Sequence, residues 1–388
     1  MKVLRIISSV NPAAGGPING LVNSSRELVK LGHSVDVVSL DDPLSKRVAD
    51  FEFPLQSFSS SLGVYSYSSE FYNWLKESVS KYDVVIVHGL WQFHSYAAAK
   101  ACKLNSIPFV TFTHGMLDPW FNKGNRLKTF KKKVYWAIFE RHVINNSNAV
   151  LFTSEEERTL AREPFAPYSP IERVVAYGSP LPKVDLNVQK EQFLHKFDVL
   201  KGKRFAIFLS RIHEKKGIDL LIEALGRIRK LPDDFMLAIA GPDSEGLQAK
   251  LIRQIASLGL SARVVWLGML SGDIKWGAYQ AADVFVLPSH QENFGIVVAE
   301  ALSTATPVLI TNKVNIWREI DAAGAGFVAN DDIAGIEALL TNWLGLSEEG
   351  KISMGLKAHA CYKKYFSIES AASDLEAVLL GLVSENNA

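Results

Sequence analysis

Residues 284–302 read VFVLPSHQENFGIVVAEAL. The run 284–288 is β-branched, aromatic and apolar up to its closing proline, a polar loop follows, and after Gly295 an apolar stretch suited to a helix takes over. A strand this uniformly apolar fits a sheet covered on both faces. Strand, loop and helix in that order, repeated, are wound by right-handed crossovers into a parallel sheet.

The same alternation extends outward from this unit. Strand-like runs occur at 205–210, 236–240, 264–267, 308–311 and 327–329, with helical patterns between them. The N-terminal half carries its own set, at 3–8, 35–40, 84–88, 109–113, 150–153 and 173–177, with helix-like segments such as 20–31 and 93–103. Between the halves, Gly178, Pro180 and Pro182 punctuate a polar stretch. A chain of 388 residues exceeds what one hydrophobic core usually serves. The pattern therefore predicts an α/β protein of two Rossmann-like, doubly wound domains facing one another across an interdomain cleft. Their expected bounds are 1–178 and 204–366, joined by a linker at 179–203. The tail is apolar at helical spacing over 367–382, and the segment 367–388 is expected to join the first domain as a helix.

Composition narrows the function classes. With 42 basic and 41 acidic residues the formal charge is +1, so no global field draws the chain to nucleic acid. Cys102 and Cys361 are far apart and in no metal-ligand spacing, which fits a reducing compartment. The apolar run at 1–10 is too short for a signal h-region, and no run approaches the length that spans a bilayer. A soluble, cytoplasmic protein is expected.

Ligands of open parallel sheets sit outside the carboxyl ends of the strands, where helix N-termini present unpaired N–H groups. Three loops fall there. Asn11-Pro12-Ala13-Ala14-Gly15-Gly16-Pro17 follows the first strand, and its paired glycines allow backbone N–H groups to approach an anion, or simply make a tight turn. It is not G-x-G-x-x-G, and Asp41 and Asp42 lie in a loop beyond the second strand, so a nicotinamide site is poorly supported. Ser210-Arg211-Ile212-His213-Glu214-Lys215-Lys216-Gly217 follows the first strand of the second domain, where an arginine fork and a lysine point charge suit a diphosphate. In the third loop Glu292 is placed to accept from sugar hydroxyls, Gly295 allows close approach, and Glu300 lies about two helical turns on. Glu300 stands among apolar residues, and a carboxylate so placed needs a hydrogen-bonding partner, such as a ribose diol.

Arg211 with Lys216-Gly217, then Glu292-Asn293-Phe294-Gly295 and Glu300, closely resembles glycosyltransferase family 4, retaining enzymes of the GT-B fold. The likeness covers essentially the whole chain, with its specificity concentrated in the second half. It implies that Glu292 contacts the donor sugar, Glu300 the ribose hydroxyls, and Arg211 and Lys216 the departing diphosphate. It further implies donor contacts at Gly15, Gly16, Asn293, Phe294 and Gly295, and a role for His114 on a sugar hydroxyl or phosphate. Ala240-Gly241-Pro242-Asp243 matches the family's glycine turn, and Trp266-Leu267-Gly268-Met269-Leu270 falls where its base pocket is lined. The family's usual linker motif is replaced by Tyr177-Gly178-Ser179-Pro180.

The expected reaction is metal-independent, retaining hexosyl transfer from a nucleoside-diphosphate sugar to a saccharide or lipid-linked saccharide, in polysaccharide biosynthesis. Two cations supply the charge that a metal otherwise would, and no Asp-x-Asp triplet occurs. Trp91, Asp118 and Trp120 are expected on the acceptor side. The segment 123–133 carries Lys123, Arg126, Lys128, Lys131, Lys132 and Lys133 without an acid, and Val134, Tyr135, Trp136, Ile138 and Phe139 follow. That reads either as a face for anionic lipid on the inner side of a membrane or as a solvated charged face running into a core helix. Competing readings are a nucleotide-sugar epimerase, a phosphorylase, a non-catalytic nucleotide-sugar binding protein and, last, a nicotinamide oxidoreductase.

Overall fold

The computed structural model describes residues 1–12, 15–61, 63–122, 126–182 and 184–387. Two compact units emerge, Met1–Gly178 together with Ile368–Ala388, and Ser179–Ser367.

Among the described residues the first unit holds β1 (Lys2–Ile7), β2 (Ser34–Ser39), β3 (Leu55–Ser57), β4 (Val84–His88), β5 (Phe109–Phe112), β6 (Ala149–Phe152) and β7 (Glu172–Val174). They form one parallel sheet in the order β3-β2-β1-β4-β5-β6-β7. The central strands are buried along their length, which is why they read as continuous apolar runs. The sequence reading missed β3, an edge strand of three residues that borrows its order from β2. The tail forms the helix Ile368–Asn387, whose Glu376 Oε1 lies 2.6 Å from His33 Nε2.

The second unit holds β8 (Arg204–Leu209), β9 (Phe235–Ala240), β10 (Val264–Gly268), β11 (Val284–Leu287), β12 (Val308–Thr311) and β13 (Gly326–Ala329), parallel and ordered β10-β9-β8-β11-β12-β13. Chain order reverses between β8 and β11, and the crevice at such a reversal is where doubly wound sheets bind ligands. In the first unit the reversal lies between β1 and β4.

Residues 179–203, read as a linker, carry the helix Leu186–Lys196 within the second unit. Asp185 Oδ1 caps it, accepting from the amides of Asn187 and Val188 at 2.8 and 3.3 Å. It crosses the helix Gly272–Ala281 so closely that a Cβ on Gly277 would stand 2.0 Å from the Gln189 carbonyl oxygen.

Candidate active site

The loop 210–217 leaves β8 and the loop 288–295 leaves β11, so the reversal in strand order sets them side by side. Three devices fix them. The amide of His290 donates to the carbonyl of Lys215 at 2.8 Å. Gly217 has φ 64°, and a Cβ there would lie 2.1 Å from the carbonyl oxygen of Pro288, so only glycine fits. Finally, Lys216 pairs with Glu292 through Nζ and Oε2. Lys216 is buried, and a buried ammonium needs such a partner. Arg211, on the same loop, is exposed and has no hydrogen bond or ion pair among the described residues.

Gly295, at φ 70°, turns the chain into the helix Ile296–Ser303. The main chain of Glu292 is tied to the following strand's loop, its amide donating to Lys313 at 2.9 Å and its carbonyl accepting from Asn315 at 3.0 Å. Asn293 Oδ1 accepts from Asn315 Nδ2 at 3.5 Å, and Phe294 is buried edge-on to Phe366. Glu300 is buried and already doubly engaged. Lys275 Nζ donates to Oε1 at 2.6 Å, and the Tyr279 hydroxyl to Oε2 at 2.9 Å. Each carboxylate oxygen thus keeps a lone pair for a further donor. Lys275 and Tyr279, three and seven residues into their helix, were not singled out from the sequence, because nothing local links them to Glu300.

At the neighbouring strand ends, the amide of Gly241 donates to the carbonyl of Gly268 at 2.8 Å, and a Cβ on Gly241 would lie 1.8 Å from the Ser210 carbonyl oxygen. Beyond β10, Met269 projects into solvent while Leu270 is buried.

In the first unit, Gly15 has φ 81° and precedes the helix Gly16–Lys30, while Ala13 and Ala14 of the same loop lie outside the described residues. Asp41 braces this loop, accepting from Ser9 Oγ at 2.6 Å and the Val10 amide at 2.7 Å. That is a structural task for the carboxylate that follows β2.

His114 follows β5 at φ 51°, with both ring nitrogens turned to protein partners. Its Nδ1 lies 2.8 Å from the Tyr177 hydroxyl and its Nε2 3.2 Å from His88 Nδ1. Phe112, His88 and His114 stack near-parallel. Burial pushes the His114 imidazole down to about 3, and the nearby Arg5 and His94 push the same way. Beneath the turn, buried Glu157 accepts from Thr113 Oγ1, the Gly115 amide, and both the amide and hydroxyl of Thr153. Glu157 escaped the sequence reading, although Ser154-Glu155-Glu156-Glu157 carries a capping-box spacing.

Trp91, at φ 71°, donates its indole N–H to the Met116 carbonyl at 3.2 Å and packs among Tyr135, Trp136 and Phe165. Buried Asp118 caps the turn that follows it, accepting from the Trp120 amide at 2.8 Å. These contacts give Trp91 and Asp118 packing and capping roles in the unit itself.

Residues 14–174 match the family described as Glycosyltransferase Family 4, and residues 189–351 the family described as Glycosyl transferases group 1. The chain belongs to the family 4 glycosyltransferases. This glycosyltransferase is 26% identical over 284 residues to an uncharacterized glycosyltransferase of Methanocaldococcus jannaschii, covering 68% of each chain. It is 30% identical over 188 residues to the D-inositol 3-phosphate glycosyltransferase of Salinispora tropica, a match that spans 46% of this chain and only 38% of that relative. Anabaena HepE, crystallised with UDP and glucose, superposes with a TM-score of 0.73 at 19% identity, over 98% of this chain and 100% of that one. The likeness to that structure speaks for the GT-B fold.

Proposed function

We propose that this glycosyltransferase moves a hexosyl group from a nucleoside-diphosphate sugar to a saccharide or lipid-linked saccharide, with retention at the anomeric carbon, in the cytoplasmic assembly of a polysaccharide. The observation that carries the reading is the Lys216–Glu292 pair at the strand-order reversal of the second unit, with Glu300 set on the helix just beyond. UDP-glucose is the first donor to test, because HepE was crystallised with UDP and glucose.

As the bond from the anomeric carbon to the diphosphate breaks, negative charge grows on the leaving oxygens. Arg211 supplies a free guanidinium there, and Lys216, held by Glu292 before the reaction begins, shares its ammonium between that carboxylate and the diphosphate. Glu292, held by its backbone ties, accepts from donor-sugar hydroxyls. Glu300 accepts from the ribose diol with the lone pairs that Lys275 and Tyr279 leave open. The acceptor oxygen forms the new bond to the anomeric carbon, and its proton passes to the departing diphosphate. His114 is neutral, and would exchange Tyr177 or His88 for a sugar hydroxyl. In this account no metal takes part. Peripheral contact through the basic segment would bring the enzyme to a lipid-linked acceptor.

Release of UDP from UDP-glucose, measured with a panel of saccharide acceptors and excess chelator, tests this reading. Acceptor-dependent release that survives the chelator supports it. Donor binding without release under any acceptor points to a binding protein, and a strict magnesium requirement overturns the cation-clamp account.

A further inference from the structure

The exposed face of one helix in the first unit is apolar where a soluble surface has no use for it. Helix Arg126–Tyr135 continues without a break through the π-type turn Trp136–Glu140. Lys123 to Asn125, the start of the basic segment, lie outside the described residues. The aromatic residues that the sequence suggested for the exposed face are largely turned inward. Trp136 is buried, and Tyr135 and Phe139 pack on one another and on Tyr65 and Tyr96. Lys132 also turns in, over the rings of Trp91 and Phe121. Leu127, Phe130, Val134 and Ile138 are instead 64, 64, 43 and 53% exposed. Steps of three and four place these side chains in one stripe.

At 100° per residue, exposed Lys128 and Lys131 fall on one side of that stripe and exposed Lys133 on the other. No Asp or Glu occurs between 123 and 139, and Glu140 is fully buried. An apolar centre flanked by lysines, with no acid on the face, suits a helix that lies in the interface of a bilayer and draws anionic headgroups. A second copy of the chain meets the same stripe at the cost of setting lysine against lysine. Among the described residues no helix is long and apolar enough to cross a membrane, so the contact is a surface one.

We propose that the stripe Leu127, Phe130, Val134 and Ile138 inserts into the headgroup boundary of an anionic membrane, with Lys128, Lys131 and Lys133 on phosphates beside it. This deepens the reading of a lipid-linked acceptor and rests on that reading for its purpose, but not for its test. The full chain is sedimented with vesicles of phosphatidylcholine alone and of phosphatidylcholine with phosphatidylglycerol, without donor or acceptor. The expected result is binding to the anionic vesicles that weakens with salt. Leu127→Ser with Phe130→Ser should lower partitioning roughly tenfold or more, since two large apolar side chains no longer enter the boundary. Lys128→Ser, Lys131→Ser and Lys133→Ser together should abolish the preference for anionic vesicles, and all these side chains are exposed, so circular dichroism should stay unchanged. Failure of the native chain to sediment with anionic vesicles, or equal binding by both variants, overturns the proposal. So does a dimer in light scattering that the Leu127 and Phe130 changes dissolve. UDP release, assayed separately, reports on glycosyl transfer whichever result is obtained.

Discussion

Lys216 and Glu292, 76 residues apart in sequence, form an ion pair that joins the loop after β8 to the loop after β11. The pair brings together the residue assigned to the leaving diphosphate and the one assigned to the departing sugar. Lys216→Ala should lower kcat on the order of 10²-fold, because an interaction that strengthens as charge develops appears in turnover. It also leaves Glu292 without its cation. Glu292→Ala should lower turnover by orders of magnitude while UDP alone still binds, since the lost contact is to the sugar. Calorimetry with UDP and steady-state kinetics separate the two effects, and equal loss of UDP affinity in Glu292→Ala counts against its sugar role.

Arg211 is exposed and has no partner among the described residues, so its replacement disturbs no packing. Arg211→Lys keeps the charge but not the planar fork that matches a phosphate. A fall of about tenfold or more in kcat/KM with an unchanged melting temperature is expected. Near-normal kinetics in this variant would move the diphosphate off the 210–217 loop.

Lys275 and Tyr279 set the plane of the Glu300 carboxylate toward the proposed ribose diol. Lys275→Met should raise the donor KM about tenfold or more, the scale of a lost charged hydrogen bond, with a smaller change in kcat. It should also shrink the penalty for a 2′-deoxyribose donor. Tyr279→Phe should act in the same direction, more weakly. An unchanged ratio between ribose and deoxyribose donors in both variants separates these residues from ribose recognition.

Two sets of buried groups bias the stability of the first unit with pH. Burial holds His94 at about 4 and His114 at about 3, and holds His88 well below its ordinary 6.5. The unfolded chain binds these protons near 6.5 and the folded one does not, so the histidines' contribution to stability is whole above 6.5 and falls as pH drops below it. For His94 and His114 the loss is on the order of 1–2 kcal/mol each at pH 5, and His88 acts in the same direction. Glu140 acts in the opposite sense, pushed up to about 8 by burial, against the pull of its Ser95 hydrogen bond. Its contribution is present below 4.5 and is lost as pH rises toward 8. Glu140→Gln should therefore raise the melting temperature at pH 8 and leave it nearly unchanged near pH 4.5. The gain should be about 2–4 °C for each kcal/mol in a unit of this size. Thermal melts across pH 4.5–8 check both signs.

The sequence by itself determined what depends on local pattern. Buried parallel strands declare themselves as apolar runs such as 84–88 and 308–311, glycines such as Gly217 and Gly295 mark turns into helices, and the motif residues Arg211, Lys216 and Glu292 fall in the loops that leave strands, with Glu300 on the helix that follows. The three-residue β3 carries no such pattern, and the helix Leu186–Lys196 was hidden by the prolines before it. What only the tertiary structure decided is which distant residues share a contact. Sheet order, β8 beside β11, puts Lys216 on Glu292, and helix packing puts Lys275 and Tyr279 on Glu300. Likewise Glu157 reaches the turn of His114 from another strand's end, and Tyr177 occupies the ring nitrogen that a lone histidine in sequence leaves open. Hydrophobic periodicity reports which face of an element is buried, but a buried polar group finds its partner across the fold, where sequence separation carries no information.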